Sequence, residues 1–264
     1  MTTATEFIVV EKIGGVSKIT LNRPEVLNSF NAQMARELRG AMDDARADKS
    51  IRAVLLTGEG RAFCAGQDLS EVPAPTDAVI DLGATVRGTY NQVIKCIRKL
   101  ERPVICAVNG VAAGAGANLA IACDIVLASE NASFIQSFAK VGLIPDSGGT
   151  FFLPRIVGLP RATALMMTAD KIDAHRAFEI GMVYRLCAAE TLQEEAMALA
   201  TQLAAMPTRG LGLTKRALNA SLTNDLDAQL DLEADLQTEA GRTHDFAEGV
   251  RSFLEKRKPN FTGE

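Results

Sequence analysis

Three glycine-rich stretches hold the residues whose types and spacing could do chemistry. Gly142-Leu-Ile-Pro-Asp-Ser-Gly-Gly-Thr150 sets one carboxylate, Asp146, between a proline and a run of small residues. That aspartate has two compatible readings. Aspartate is a preferred N-cap, so it can cap the helix that follows. It can also act as a general acid/base if Leu143, Ile144, Phe151 and Phe152 supply an apolar pocket, because burial raises a carboxyl pKa toward the working pH. The other two stretches are Gly60-Arg-Ala-Phe-Cys-Ala-Gly-Gln-Asp68 and Asn109-Gly-Val-Ala-Ala-Gly-Ala-Gly-Ala-Asn118. Small residues there let backbone approach a ligand, and a helix N-terminus offers free N–H groups. Two N–H groups aimed at one point form an oxyanion hole, worth roughly 2.7–4 kcal/mol per donor to the anion of a carbonyl or thioester. Close packing of a helix on a strand accounts for the same glycines, and spacing alone does not choose.

Other chemistries find less support. Leu119 stands where a dinucleotide fingerprint needs a third glycine, and no Gly-Lys-Ser/Thr follows for a P-loop. His175 and His244 are the only histidines, each near a helix start, and no nucleophile elbow accompanies them. No His/Cys/carboxylate cluster has metal spacing, so no metal is expected. Cys64 sits in a glycine-rich turn and reads more simply as a small buried side chain than as a reactive thiol. The cysteines at 64, 96, 106, 123 and 187 are odd in number and lack a CxxC pair. That pattern points to reduced thiols and a cytoplasmic setting. A net charge of −4 without basic runs argues against nucleic acid. Met1–Glu6 does not read as a signal peptide. Asn109, Asn118, Asp124 and several glycines interrupt the weakly polar stretch Val104–Ala128, so no membrane span is expected.

These turns must be held by regular elements. Val16–Leu21, Arg52–Thr57, Pro103–Val108 and Ile125–Ala128 read as strands, most of them buried. Asn31 reads as the N-cap of a helix through about Ala47, with Met34, Ala35, Leu38, Met42 and Ala45 on one face. A second helix is expected from about Thr85 to Leu100, with Tyr90, Val93, Ile94, Ile97 and Leu100 on one stripe. Residues 71–84, with Pro73, Pro75 and Gly83, read as a loop. From Pro160 onward the pattern is almost wholly helical. Asp245-Phe-Ala-Glu248 has capping-box spacing before a last helix carrying Val250, Phe253 and Leu254. The class is therefore α/β, with a core over 1–209 and a helical region over 210–264.

Several motifs together resemble the enoyl-CoA hydratase/isomerase (crotonase) superfamily over nearly the whole chain. They are Leu21-Asn-Arg-Pro-Glu-x-x-Asn28, Ala62-Phe-Cys-Ala-Gly-Gln-Asp-Leu69, Pro103 to Gly116, Cys123-Asp-Ile-Val126 and Gly142-Leu-Ile-Pro-Asp-x-Gly-Gly-Thr150. The resemblance implies a spiral of β-β-α units with a helical C-terminal trimerisation region, assembled as homotrimers or dimers of trimers. It implies an acyl-CoA thioester substrate and no cofactor beyond the CoA of that substrate. It also implies that the backbone N–H groups of Cys64 and Ala115 form the oxyanion hole. Ala65, Gly66, Gln67, Asp68 and Leu69 would line the adenine and pantetheine part of CoA, and Arg23 would lie near its phosphates, where a guanidinium suits the geometry.

The departures narrow the reading. Hydratases of the superfamily hold water with two glutamates, and here Asn118 and Phe138 stand at those places. Asp146 instead matches the carboxylate of the dienoyl-CoA and ring-epoxide isomerase branches. The dehalogenase branch shares that aspartate but needs a histidine where Gln67 stands. Leu27–Asn31, Gly66–Asp68, Gly210–Leu213, Asp227–Glu233, Ala240–Arg242 and Phe261–Gly263 resemble the branch that converts ring-1,2-epoxyphenylacetyl-CoA to oxepin-CoA in aerobic phenylacetate breakdown. A 3-enoyl to 2-enoyl-CoA isomerase activity is implied beside it. The alternatives are a hydratase of fatty-acid-type substrates and a catalytically silent acyl-CoA- or RNA-binding relative. Asn118 would hydrogen-bond either substrate or Asp146.

Overall fold

A computed structural model describes residues 2–71 and 81–264. Strands β1 (Thr2–Ala4), β2 (Ile8–Ile13) and β3 (Val16–Leu21) form an antiparallel meander. Helix α1 (Ala32–Ala47) follows; the Asn31 side chain accepts from the Met34 N–H, as the sequence predicts for an N-cap. Then come β4 (Ala53–Gly58), β5 (Ala62–Cys64), α2 (Leu82–Gly88), α3 (Tyr90–Lys99), β6 (Val104–Val108), β7 (Val111–Ala113), α4 (Ala115–Ala122), β8 (Ile125–Ser129) and β9 (Ser133–Ile135). The rest comprises α5 (Gly149–Val157), α6 (Leu159–Thr168), β10 (Lys171–Asp173), α7 (Ala174–Glu179), β11 (Arg185–Cys187), α8 (Leu192–Ala204), α9 (Thr208–Ser221), α10 (Leu226–Ala240) and α11 (His244–Leu254).

The strands sort into two sheets. One has seven strands in the order β1-β2-β3-β4-β6-β8-β11, and the other has four in the order β10-β9-β7-β5. The pairs β3–β4, β4–β6, β6–β8 and β8–β11 are parallel, as are β5–β7 and β7–β9. Each turn of the chain thus adds one strand to each sheet before a helix or loop returns it, which gives the expected spiral of β-β-α units. Period-two alternation splits the large sheet's side chains. Val54, Leu56, Val104, Cys106, Val126 and Ala128 enter the main core with α1, α3 and α4. Ala53, Leu55, Ile105, Ala107 and Leu127 face Leu192, Ala196, Ala200 and Ala204 of α8. Those four sit at intervals of four, a single apolar stripe on a helix.

Four expectations need correction. The helix foreseen from Thr85 is two helices broken at Thr89 (φ −116°, ψ −87°). The loop foreseen over 71–84 lies mostly outside the described residues, and its last part, from Leu82, is helical. The stretch after Pro160 is not wholly helical, because β10 and β11 extend the two sheets. Finally, Asp245 and Glu248 form no capping box. Thr243 caps α11 by accepting from the Phe246 N–H, while Asp245 accepts from the Thr262 and Gly263 N–H groups and Glu248 from Arg257 and the Asn260 N–H. Both carboxylates therefore tie the last residues back to the helix. Gly210 falls inside α9, whose first residue is Thr208.

Candidate active site

Asp146 lies in the turn before α5. Its side chain caps nothing: Gly148 holds the cap position at φ 77°, and only the Asp146 main-chain oxygen accepts from the Gly149 N–H, at 2.8 Å. The cap reading is therefore wrong, because two left-handed residues, Ser147 (φ 51°) and Gly148, separate the carboxylate from the helix. Ser147 is buried and donates its hydroxyl to Asp146 Oδ1 at 2.8 Å. The carboxyl is half-buried; desolvation raises its pKa, and the Ser147 hydrogen bond opposes that rise.

The turn is pinned from below. Asn118, fully buried on α4, donates from Nδ2 to the Asp146 carbonyl at 2.9 Å. Gln136, also buried, donates from Nε2 to Asn118 Oδ1 at 2.9 Å. Asn118 thus engages the Asp146 main chain. Gly149 permits the approach, since a Cβ there would fall 2.3 Å from Asn118 Nδ2.

The apolar surroundings come from elsewhere than the sequence implied. Leu143 and Ile144 are exposed, at 46% and 81%. Phe152 does lie against the turn, close enough that a Cβ at Gly148 would meet its ring at 2.7 Å. Phe151 packs edge-on against Phe152 and lies under the Arg155 guanidinium. The recess beside Ser147 is lined by Phe30, Tyr90, Val93, Ile94, Ala115 and Leu119. Leu143 and Ile144, next to the turn in sequence, point outward, so the recess walls come from α3, α4 and Phe30.

The glycine-rich turns meet at this recess. Cys64 ends β5 and Ala115 opens α4, so the Ala115 N–H is among those a helix leaves without an internal acceptor. A Cβ at Gly116 would stand 2.2 Å from the Cys64 carbonyl oxygen, and one at Gly66 would stand 2.8 Å from the Ala113 oxygen and 3.7 Å from the Ala115 nitrogen. The two turns therefore pack backbone to backbone. The Cys64 thiol is fully buried and pushed up to about 12 by desolvation, which makes it a neutral packing group.

The segment Ala65–Leu69 forms a ledge beside the turns. The Ala65 N–H donates to the Leu27 carbonyl, and the Phe30 N–H to that of Gly66. Asn28, buried at φ 56°, donates to the Glu59 and Ala62 carbonyls and so holds this ledge to β5. Arg23 pairs with Asp68 at 2.9 Å, donates to the Ser29 carbonyl and lies over the Phe7 ring. The Ser70 hydroxyl and Arg23 hold the Asp68 carboxyl below its ordinary range. Leu69 is exposed. Gln67 accepts from the Tyr90 hydroxyl. Sequence reasoning missed Tyr90, Ser147 and Gln136 as site residues. A phenol on an otherwise apolar stripe was the available signal for Tyr90. Gln136 follows a three-residue strand with no pattern of its own.

Asn118 and Phe138 stand where the resemblance places the water-activating glutamates of hydratases. Phe138 is buried, its ring beside Gly114 at the start of α4. Residues 11–264 match the family model described as enoyl-CoA hydratase/isomerase. The chain belongs to the enoyl-CoA hydratase/isomerase family. It is 51% identical to 1,2-epoxyphenylacetyl-CoA isomerase of Escherichia coli over 98% of this chain and 99% of that protein. It is 35% identical to short-chain-enoyl-CoA hydratase of Clostridium acetobutylicum, over 95% of each. The solved enoyl-CoA hydratase of Bacillus anthracis superposes with a TM-score of 0.93 at 33% identity, covering 98% of this chain and 100% of that one. The α/β spiral described above is thus the crotonase fold.

Proposed function

We propose that the protein is an acyl-CoA isomerase working through a thioester enolate. The observation that carries this reading is a half-buried carboxylate, Asp146, whose neighbour Ser147 lines an apolar recess, while an amide, Asn118, and a phenyl ring, Phe138, stand where a hydratase of the family is expected to carry water-holding acids. The thioester oxygen sits between the N–H groups of Cys64 and Ala115. Asp146 removes the proton α to the thioester, and the two donors hold the enolate oxygen. Asp146 then returns the proton further along the conjugated system, so that the product is an isomer of the substrate. One base on one face suffices for that exchange. Similarity to the Escherichia coli isomerase favours ring-1,2-epoxyphenylacetyl-CoA as substrate and oxepin-CoA as product, with the fused ring opened by the same electron flow. Shift of a 3-enoyl to a 2-enoyl double bond uses the same groups.

This reading requires no metal or redox cofactor. Ala65–Leu69 and Arg23 line the CoA arm, with the Arg23–Asp68 pair setting the charge there. Five free cysteines agree with a reducing cytoplasm, and among the described residues no helix is long and apolar enough to cross a membrane. The helical region from 210 serves assembly as a trimer or dimer of trimers; exposed Phe246, Val250, Phe253 and Leu254 on α11 support that role. The test is Asp146→Asn assayed on the ring epoxide and on 3-enoyl-CoA esters. Turnover should fall by about 10²–10⁴-fold with affinity for the CoA ester largely kept. Near-wild-type turnover would sink the reading, and rapid hydration of crotonyl-CoA by the wild type would favour the hydratase alternative.

A further inference from the structure

A cavity of about 750 Å³ lies at the pole opposite Asp146. Arg52 and Arg102 in its wall stand just before β4 and β6, whereas the turns at Cys64 and Ala115 lie beyond the far ends of those parallel strands. The end of α1, the start of α9 and the junction of α10 with α11 complete the wall.

Its charges do not balance. Glu101 and Glu239 line it, but Arg209 and Arg216 close both into a four-membered ring of ion pairs. Arg46 pairs with Asp43 at 2.8 Å, and Lys49 lies 3.7 Å from Glu264. Three guanidiniums remain. Arg52 donates only to neutral oxygens, those of Thr208, Phe261 and Met206. Among the described residues neither Arg102 nor Arg242 has a carboxylate within 4.0 Å, and Arg102 Nη1 is buried with no hydrogen-bond partner. Desolvation lowers the Arg102 pKa, and Arg46 lowers it further, against the opposing pull of the Asp48 carboxylate. Guanidiniums bind multivalent oxyanions with charge-assisted, often bidentate hydrogen bonds.

We propose that this cavity binds a phosphate-class oxyanion, held by Arg102 and Arg242 with Arg52 adding its charge, apart from the acyl-CoA site. The test is calorimetric titration of the intact protein with inorganic pyrophosphate and with ADP, at constant ionic strength set by NaCl. Saturable pyrophosphate binding is expected, weakened about tenfold or more in Arg102→Met and in Arg242→Ala. Arg242 is exposed, so its variant folds even if Arg102→Met does not. Arg23→Ala, at the proposed acyl-CoA site, should leave the binding unchanged. ADP binding tighter than pyrophosphate would name a nucleotide as the source of the anion, and equal binding a free anion. Absent saturation, unchanged affinity in Arg242→Ala, or weakened binding in Arg23→Ala would each overturn the proposal.

Discussion

Asp146 is destabilising in proportion to how well it is poised. Its carboxyl pKa is raised in the folded protein, so the folded state binds the proton more tightly than the unfolded chain. Stability therefore declines as pH rises through the window between the ordinary carboxyl value and the raised one. Asp146→Asn should melt at a higher temperature than the wild type at pH 7, and the gap should close below about pH 3.9, where both states are protonated. On the proposed mechanism activity runs the other way, since Asp146 must be ionised to act as the base. The acid limb of kcat should lie above the ordinary carboxyl range, and Ser147→Ala should move it further up by removing the hydrogen bond that favours the carboxylate. Gln136 acts through Asn118. Gln136→Leu leaves Asn118 Oδ1 buried without its donor, so kcat should fall with little change in KM. A loss confined to KM would contradict that role. Asp146 was legible because a single acid in a glycine-rich turn is conspicuous. Gln136 and Ser147 were not, because their importance lies in a buried contact across 18 residues and in a left-handed backbone angle.

Helix α9 shows how an element is fixed by one buried charge. Lys215 is 7% exposed, and its ammonium donates to the Ile97 and Arg102 carbonyls and to Asp124 at 2.6 Å. Asp124 also accepts from Arg98 and the Val104 N–H. Lys215→Met would strand Asp124 without one partner, and breaking a buried pair costs about 3–5 kcal/mol. Urea denaturation should show a drop of that order, with turnover per folded molecule unchanged. The elements readable in advance were those with a cap and several turns, such as α1, or a continuous buried run, such as β4. Strands β5, β7 and β9 have three residues each, too few for a period to declare itself. The Asp245–Glu248 pair mimicked a capping box because the same residue types suit another task, accepting backbone and guanidinium donors from the chain's last residues.

At the scale of the molecule, α11 presents Phe253 at 82% and Leu254 at 74% exposure. A face of that kind calls for a partner. Sedimentation should return three or six chains of 28.1 kDa, and Phe253→Glu should shift the distribution toward smaller species. A monomeric wild type would contradict the assembly reading. The α/β class was legible, since buried strands alternate with helices along the sequence; the spiral followed only from the family resemblance. The basic cavity was not, because its arginines come from positions 52, 102 and 242, which only the completed fold brings together.

Arg52 donates guanidinium hydrogen bonds to carbonyls 154 and 209 residues further along the chain. At about 5–20 residues per second a ribosome needs on the order of 10–40 s to supply the later acceptor. Through that interval the next residues, Ala53–Gly58, are a wholly apolar strand apart from Thr57, flanked by a bare cation. Arg102 stands in the same way before Val104–Val108. A charge at the mouth of a sticky segment discourages nascent chains from zipping together. Arg52 and Arg102 thus stand where charges that discourage such pairing are placed.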